Sequence, residues 1–329
     1  MTGLFSTLTI KNFTLNNRIV LPPMANNMSD DSGAVTDRHI EHYVRRAKAG
    51  VGMVIVEHAY VRLDGRVNKT QLGIHNDALI SGLRRLAEAV KAHGTIVGIQ
   101  ITHGGGKATH ETAGGPPVAP SAGIVPGATE PSVALTIEQI EEIREAFVAA
   151  AHRALAAGFD FVEVHGAHGY LLSQFLSPLT NRRQDAFGGD LMNRQRVLLQ
   201  VVQAVREVVD DHHLLLYRLG ANDYMPGGIT AEEGCQTAKL LVAAGVDLLD
   251  ISGGLCGAQP PDWDNQSQGY FVPMAATIRA ETNVPVVVAG GITDSDAANR
   301  FIREGQVDLV AIGRAMLTNP EWAAEARTD

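Results

Sequence analysis

The sequence predicts an α/β fold of the closed kind, an eight-stranded parallel (β/α)8 TIM barrel, and three observations predict it. Short runs rich in Val, Ile and Leu recur from end to end, as strands buried on both faces do, and stretches of amphipathic helical length separate them. Strict alternation of strand with helix implies right-handed crossovers and a parallel sheet. The G-x-G-x-x-G turn that an open dinucleotide-binding sheet carries directly after an early strand is absent from the sequence.

Taken in order, the predicted strands are Arg18 to Met24, Gly52 to Ala59, Thr95 to Thr102, Phe159 to His165, Leu214 to Gly220, Leu248 to Gly253, Pro285 to Gly290 and Leu309 to Gly313. The helices between them carry their own punctuation. Thr136 with Gln139 and Thr230 with Glu233 have the form in which a Thr hydroxyl accepts an orphan amide hydrogen bond while a side chain three residues on reaches back. Ala49-Gly50, Ala157-Gly158 and Ala244-Gly245 place a glycine where a left-handed turn ends a helix before the next strand. One Gly/Pro-rich insertion, from about Gly104 to Pro131, follows the third strand and is a candidate active-site loop. No internal repeat, low-complexity tract or interdomain linker interrupts the pattern, so residues 1–329 are expected to form one domain.

Of the 329 residues 45% are hydrophobic, enough for one large core. The balance of 27 Lys and Arg against 36 Asp and Glu gives a formal charge of -9 with no block of like charge, which argues against a nucleic-acid or acidic-membrane partner. Met1 to Ile10 lacks the basic stretch and apolar run of a leader, and no apolar segment approaches the roughly 20 residues that span a bilayer. A cytoplasmic protein acting on a small molecule is expected, with homo-oligomerisation left open. Cys235 and Cys256 are too few for a disulfide framework or a four-thiolate cluster, and each is read as a small apolar bystander.

Parity along each strand assigns its faces. In the third strand Val97, Ile99 and Ile101 meet the helices, so Gln100 points inward near the top; in the fourth, Val162 and Val164 face outward, so Glu163 and His165 point in. Arg218 shares a face with Leu214 and Leu216 in the fifth, and Glu57 follows Met53 and Ile55 in the second. Polar groups inside a barrel are costly unless they are paired or meet a ligand. Their common height below the strand ends points to a polar ligand on the barrel axis. The plainer alternative is an internal network in which Glu57 or Glu163 neutralises Arg218. His165-Gly-Ala-His168-Gly-Tyr170 then adds two imidazoles and a phenol directly after the fourth strand, which weighs for the ligand. Paired histidines also suit zinc, but zinc wants a third protein ligand, none is identifiable, and no metal is expected. The last two strands end in Ala289-Gly290-Gly291 and Ile312-Gly313-Arg314, each leading into a helix start. Glycine lets backbone amides approach a phosphate, helix N-termini favour anions, and the loops after strands seven and eight are the usual barrel phosphate site.

With these residues in hand the chain resembles the Old Yellow Enzyme family of FMN-dependent oxidoreductases, and within it the bacterial enoate reductase and 2,4-dienoyl-CoA reductase branch. The likeness runs over nearly the whole chain, through Asn17-Arg18-Ile19-Val20 with Pro23-Met24, Gly98-Ile99-Gln100, His165 to Leu171, Gln174 to Pro178, Asn181-Arg182-Arg183, Gly188-Gly189, Asn193-Arg194 and Ile312-Gly313-Arg314. The resemblance implies FMN across the barrel mouth, with Pro23, Met24, Ala25 and Ala59 beside the isoalloxazine and Gln100 at its pyrimidine edge. It implies Arg218 near the flavin N1 and O2, where a fixed cation favours the charge of the reduced flavin. Gly290, Gly291, Gly313 and Arg314 would hold the phosphate, with Ser252 and Gly253 nearby. His165 and His168 would bond the carbonyl oxygen of an activated alkene, Tyr170 would donate the proton, and NADH or NADPH would supply hydride. Asn27 and Tyr60 are substrate-contact candidates by position only, as are the further wall candidates Asn26, Met225, Trp263 and Phe271.

The sequence also departs from the family. Ala25 stands where some members place Cys or Thr, so thiol tuning of the flavin is absent, and Asn26 and Asn27 replace a hydrophobic and aromatic pair and make that wall more polar. The sequence ends soon after Pro320-Glu321-Trp322, without the Cys cluster and further domains of the longer reductases, and a stand-alone barrel is expected. The expected function is FMN-dependent, NAD(P)H-driven reduction of the C=C bond of α,β-unsaturated carbonyl compounds. Three alternatives stay open: dehydrogenation or NADH oxidation by oxygen, a flavin-free barrel lyase or isomerase acting on a phosphorylated metabolite through His165, His168 and Glu163, and a flavin carrier without turnover.

Overall fold

The computed structural model describes residues 2–263 and 267–327. A hairpin comes first, β1 (Leu8–Ile10) antiparallel to β2 (Phe13–Leu15). Eight parallel strands then close into a barrel: β3 (Ile19–Leu21), β4 (Met53–Tyr60), β5 (Ile96–Thr102), β8 (Phe161–Gly166), β9 (Leu214–Gly220), β10 (Leu248–Ser252), β11 (Val286–Ala289) and β12 (Leu309–Ala311), the last pairing with β3. The intervening pair β6 (Val118–Ala119) and β7 (Val133–Ala134) belongs to the insertion and its edge. The predicted (β/α)8 TIM barrel is the fold, and every predicted strand overlaps one of its staves. The first is shorter than expected, ending at Leu21, because Pro22 and Pro23 have no N–H to give the ladder.

The outer ring is built from α1 (Asp37–Lys48), α2 (Ile80–Lys91), α4 (Ile137–Ala156), α6 (Leu191–Val208), α7 (Ala231–Ala243), α8 (Val272–Glu281), α9 (Ser295–Arg303) and α10 (Arg314–Thr318), with short turns α3 (His110–Ala113), α5 (Leu171–Leu176) and α11 (Trp322–Glu325) added at the rims. Both predicted capping boxes form: Gln139 N–H donates to Thr136 Oγ1 at 3.2 Å while Thr136 N–H donates to Gln139 Oε1 at 2.9 Å, and Thr230 with Glu233 does the same. Gly50 and Gly158 close α1 and α4 at φ of 90° and 86°, the left-handed region that glycine enters without steric cost.

Two apolar layers hold the barrel. Val20, Met53, Ile55, Phe161, Leu214, Leu216, Leu248, Val287 and Leu309 fill its interior, and Ile10 and Leu15 of the hairpin pack into the same cluster, plugging the amino-terminal end. Gly98 belongs to this layer by default, since a Cβ there would lie 2.2 Å from the Phe161 ring. Outside, Val54, Val56, Val97, Ile99, Val162 and Val164 meet the helices. Thus alternation holds through most of the barrel.

It fails once, and the failure shapes the site. The register of β4 against β5 shifts between Val56 and Ala59, a bulge that breaks the inward–outward count. Glu57 is therefore not an interior group. Its N–H donates to Tyr43 Oη at 2.8 Å, its carboxylate accepts from Asn26 N–H at 2.8 Å, and it stands 3.3 Å from His39 Nε2 of α1. Burial raises the Glu57 pKa, but the His39 and Asn26 contacts outweigh it and leave the acid below its ordinary range. Among the described residues no helix is long and apolar enough to cross a membrane.

Candidate active site

The carboxyl ends of the strands surround a cavity of about 420 Å³, within the size range of ligand pockets. Its floor is ionic. Arg218 on β9 and Asp250 on β10 are register partners, with Nε and Oδ2 3.2 Å apart, so Asp250 neutralises Arg218 rather than Glu57 or Glu163. The signal was legible: Asp250 has the inward parity of Leu248. Burial raises Asp250 to about 6 while Arg218 pulls it down, and burial together with Asp250 holds Glu163 well above the carboxylate range. One layer beneath the cavity, Gln100 Nε2 donates to Glu163 Oε1 at 2.7 Å, leaving Gln100 Oε1 and Glu163 Oε2 buried without a hydrogen bond.

One wall is the segment after β8. His165 Nδ1 accepts from Ala167 N–H at 3.1 Å, which leaves the ring proton on Nε2, itself buried and unpartnered. His168 adopts φ 58°, costly for a residue with a Cβ, and is held there by its N–H to Gly253 O at 3.0 Å, by Lys107 Nζ donating to its carbonyl at 2.9 Å, and by Ser252 Oγ at 2.8 Å from Nε2. The His165 ring centroid lies 5.0 Å from that of His168 and 5.0 Å from that of Tyr170. Burial first, then the neighbouring His168 and Arg218, keep His165 well below its usual pKa; burial and Arg218 do the same to His168, so both are neutral donors or acceptors. Burial pushes the Tyr170 phenol up to about 12.

The opposite end is shaped by missing side chains. Gly290 (φ 132°) and Gly291 (φ 65°) line the cavity, and a Cβ on Gly290 would lie 2.5 Å from the Tyr270 ring. Arg314 begins α10 after Gly313, and its guanidinium donates to Tyr270 Oη at 3.4 Å. A cation beside open backbone is the donor set a phosphate takes.

The structure brings Pro23, Met24, Ala25, His165, His168, Tyr170, Arg218, Ser252, Gly290, Gly291, Gly313 and Arg314 to one cavity. It does not bring all the expected residues there. Gln100 is fully buried below, and Gly253 serves packing, since a Cβ would meet Gly257 O at 2.3 Å. Ala59 falls in the shell facing the helices, because the bulge that turns Glu57 outward puts His58 at the cavity instead. Tyr60 is buried against His75, ring centroids 4.7 Å apart, with its hydroxyl on Ser32 O, and Asn27 is exposed at φ 52°. Of the further wall candidates Phe271 lines the cavity, whereas Asn26, Met225 and Trp263 stand back from it. Among the described residues, none of the Gly104–Pro131 insertion lines the cavity; Lys107 touches its wall by donating to His168 O. Sequence reasoning missed His58, Tyr270 and Asp250. Among the described residues no group of three or more His, Cys, Asp or Glu is arranged to hold a metal.

A model of the NADH:flavin oxidoreductase / NADH oxidase family matches residues 3–329. The chain belongs to that family. The Old Yellow Enzyme resemblance therefore holds, and the flavin-free reading is set aside: this family member is an FMN-dependent oxidoreductase with a reduced nicotinamide as hydride source. It is 44% identical to an NADPH dehydrogenase of Geobacillus sp. (strain WCH70) over 98% of this chain and 92% of the relative. It is 41% identical to an NADH oxidase of Thermoanaerobacter brockii over 99% of this chain but only 50% of that protein, so the chain spans half the length of that relative. Among solved structures, a 2-naphthoyl-CoA reductase in complex with 2-naphthoyl-CoA superposes at a TM-score of 0.94 with 30% identity, covering 99% of this chain and 52% of that one. The orphaned polar floor, the glycine-opened end and the cavity size fit a flavin mononucleotide.

Proposed function

We propose that this oxidoreductase reduces the C=C bond of α,β-unsaturated carbonyl compounds with NADPH or NADH. The observation that carries the reading is the tight group of His165, His168 and Tyr170 on the cavity wall, two neutral imidazoles and a protonated phenol around one space. FMN, when bound, supplies the hydride relay between the nicotinamide and the acceptor carbon. Arg314, Gly290, Gly291 and Gly313 would hold its phosphate, and Pro23, Met24 and Arg218 its ring system. His165 Nε2–H donates to the acceptor carbonyl. His168 joins it through Nδ1–H when Ser252 gives its hydroxyl proton to Nε2. Together they favour negative charge growing on that oxygen, as an oxyanion hole does. Tyr170, whose high pKa keeps its proton at neutral pH, is the acid that completes the reduction.

Anaerobic mixing with each nicotinamide, then with a panel of enones, enoates and thioesters, tests this. Flavin bleaching followed by rapid recolouring with an unsaturated carbonyl supports it, and recolouring by oxygen alone refutes it. The second outcome would favour a reaction like that named for the Thermoanaerobacter brockii relative.

A further inference from the structure

The bulge in β4 delivers a third imidazole to the cavity. His58 is buried and lines the cavity, its ring centroid 5.5 Å from that of Tyr170 and 6.3 Å from that of His165. Its tautomer is fixed by Gln71, and the orientation of Gln71 is fixed by backbone. Gln71 Oε1 accepts from Val67 N–H at 2.9 Å and Nε2 donates to His58 O at 3.0 Å, so the amide has one orientation. The same NH2 group stands 2.8 Å from His58 Nδ1, which must accept. The ring proton then sits on Nε2, which makes no hydrogen bond to the described residues and is not among the buried orphan atoms. Burial lowers the His58 pKa to about 4, Glu57 raising it and Arg218 lowering it further, so the ring is a neutral donor at working pH.

We propose that His58 is a specificity-determining residue: its Nε2–H reads a second, uncharged carbonyl oxygen on the acceptor, beyond the oxygen that His165 and His168 hold. This rests on the acceptor reading above. The second group is a carbonyl rather than a carboxylate because the cavity offers no spare cation near His58. Among the described lining residues the cations are Arg218, paired with Asp250, and Arg314, at the glycine-opened end beside Tyr270. A carboxylate buried against neutral imidazoles would stay uncompensated, whereas a ketone, ester or imide oxygen takes the N–H without that penalty. The substrate class that satisfies all three donors is an unsaturated dicarbonyl compound.

Equilibrium titration of the oxidised holoenzyme with non-turnover phenols tests this, read by the long-wavelength charge-transfer band. Phenol is compared with the ortho, meta and para hydroxybenzaldehydes and hydroxybenzoates, which place a neutral or an ionised second acceptor at three positions. One aldehyde isomer is expected to bind about tenfold tighter than phenol, the worth of one good net hydrogen bond. His58→Phe should remove that advantage while phenol affinity changes less than about twofold, and His58→Gln, which keeps an N–H donor, should recover part of it. The proposal is overturned if no aldehyde isomer outbinds phenol, if His58→Phe weakens phenol and aldehyde equally, or if a hydroxybenzoate gains more than every aldehyde. A holoenzyme that binds phenol with no band and no measurable affinity overturns the acceptor reading itself, which separates the two failures.

Discussion

Replacing Tyr170 by Phe isolates the proposed proton donor. The Tyr170 hydroxyl makes no hydrogen bond to the described residues, and its contacts with His58 and His165 are ring contacts that Phe keeps. Removing the oxygen therefore leaves no partner stranded, and folding stability should change by less than about 0.5 kcal/mol. Chemistry should change far more. Losing a positioned general acid costs about 10²- to 10⁴-fold, or about 3 to 5 kcal/mol of barrier, and that loss should fall wholly on oxidation of the reduced enzyme by an enone. Reduction by nicotinamide needs no proton from Tyr170 and should keep a near-normal rate. Because burial holds the phenol proton to about pH 12, the wild-type reoxidation rate should also stay flat through neutral and mildly alkaline pH. Stopped-flow absorbance of the two half-reactions reads both effects. Equal slowing of the two halves would give Tyr170 a packing role, and an unchanged reoxidation rate would assign the proton to water or another residue.

Arg314→Ala should weaken FMN retention by about 10- to 100-fold, as expected for losing a charge-assisted phosphate contact; an unchanged dissociation constant by flavin fluorescence would remove Arg314 from the phosphate site. The double replacement of His165 and His168 by Ala should abolish the phenol charge-transfer band with FMN still bound, and a retained band would place the ligand elsewhere. Asp250→Leu strands the Arg218 charge and should cost about 3 to 5 kcal/mol in denaturant unfolding, whereas a loss under about 1 kcal/mol would mean that solvent or cofactor compensates it. His58 has a folded pKa of about 4, below its ordinary value, so the unfolded chain binds more protons between about pH 6.5 and 4. Stability is then complete above that window and lost as pH falls through it. The loss is about 3 kcal/mol from this group, and His58→Phe should show a correspondingly shallower fall in unfolding free energy over that range.

The staves were legible because a strand buried on both faces has nothing but apolar residues to show, and because glycine and threonine mark the helix ends chemically. Parity places Gln100, Glu163, His165 and Arg218 inside for the same reason, and Asp250, on the face of Leu248 in the sixth stave, obeys it too. The hairpin was too short to leave a pattern: three residues per strand carry barely one alternation. Parity misled at Glu57, where a bulge without glycine or proline shifts the count and leaves no mark in the sequence, and the same bulge turns Ala59 away from the cavity. His58 was invisible for that reason. Tyr270 was invisible for another, since it reaches the cavity from the long connection between β10 and α8, where no periodicity constrains direction.

That bulge makes one strand serve two masters. Glu57 is clasped by Tyr43 and His39 on the outer ring, and the next residue along the chain, His58, is part of the pocket wall. A single peptide bond thus separates a scaffold anchor from a recognition element, with no intervening side chain to absorb a displacement. Substitutions on α1, well away from the cavity, have a covalent route to selectivity, so a survey for altered acceptor preference has reason to begin at positions 39 and 43 as much as at the pocket itself.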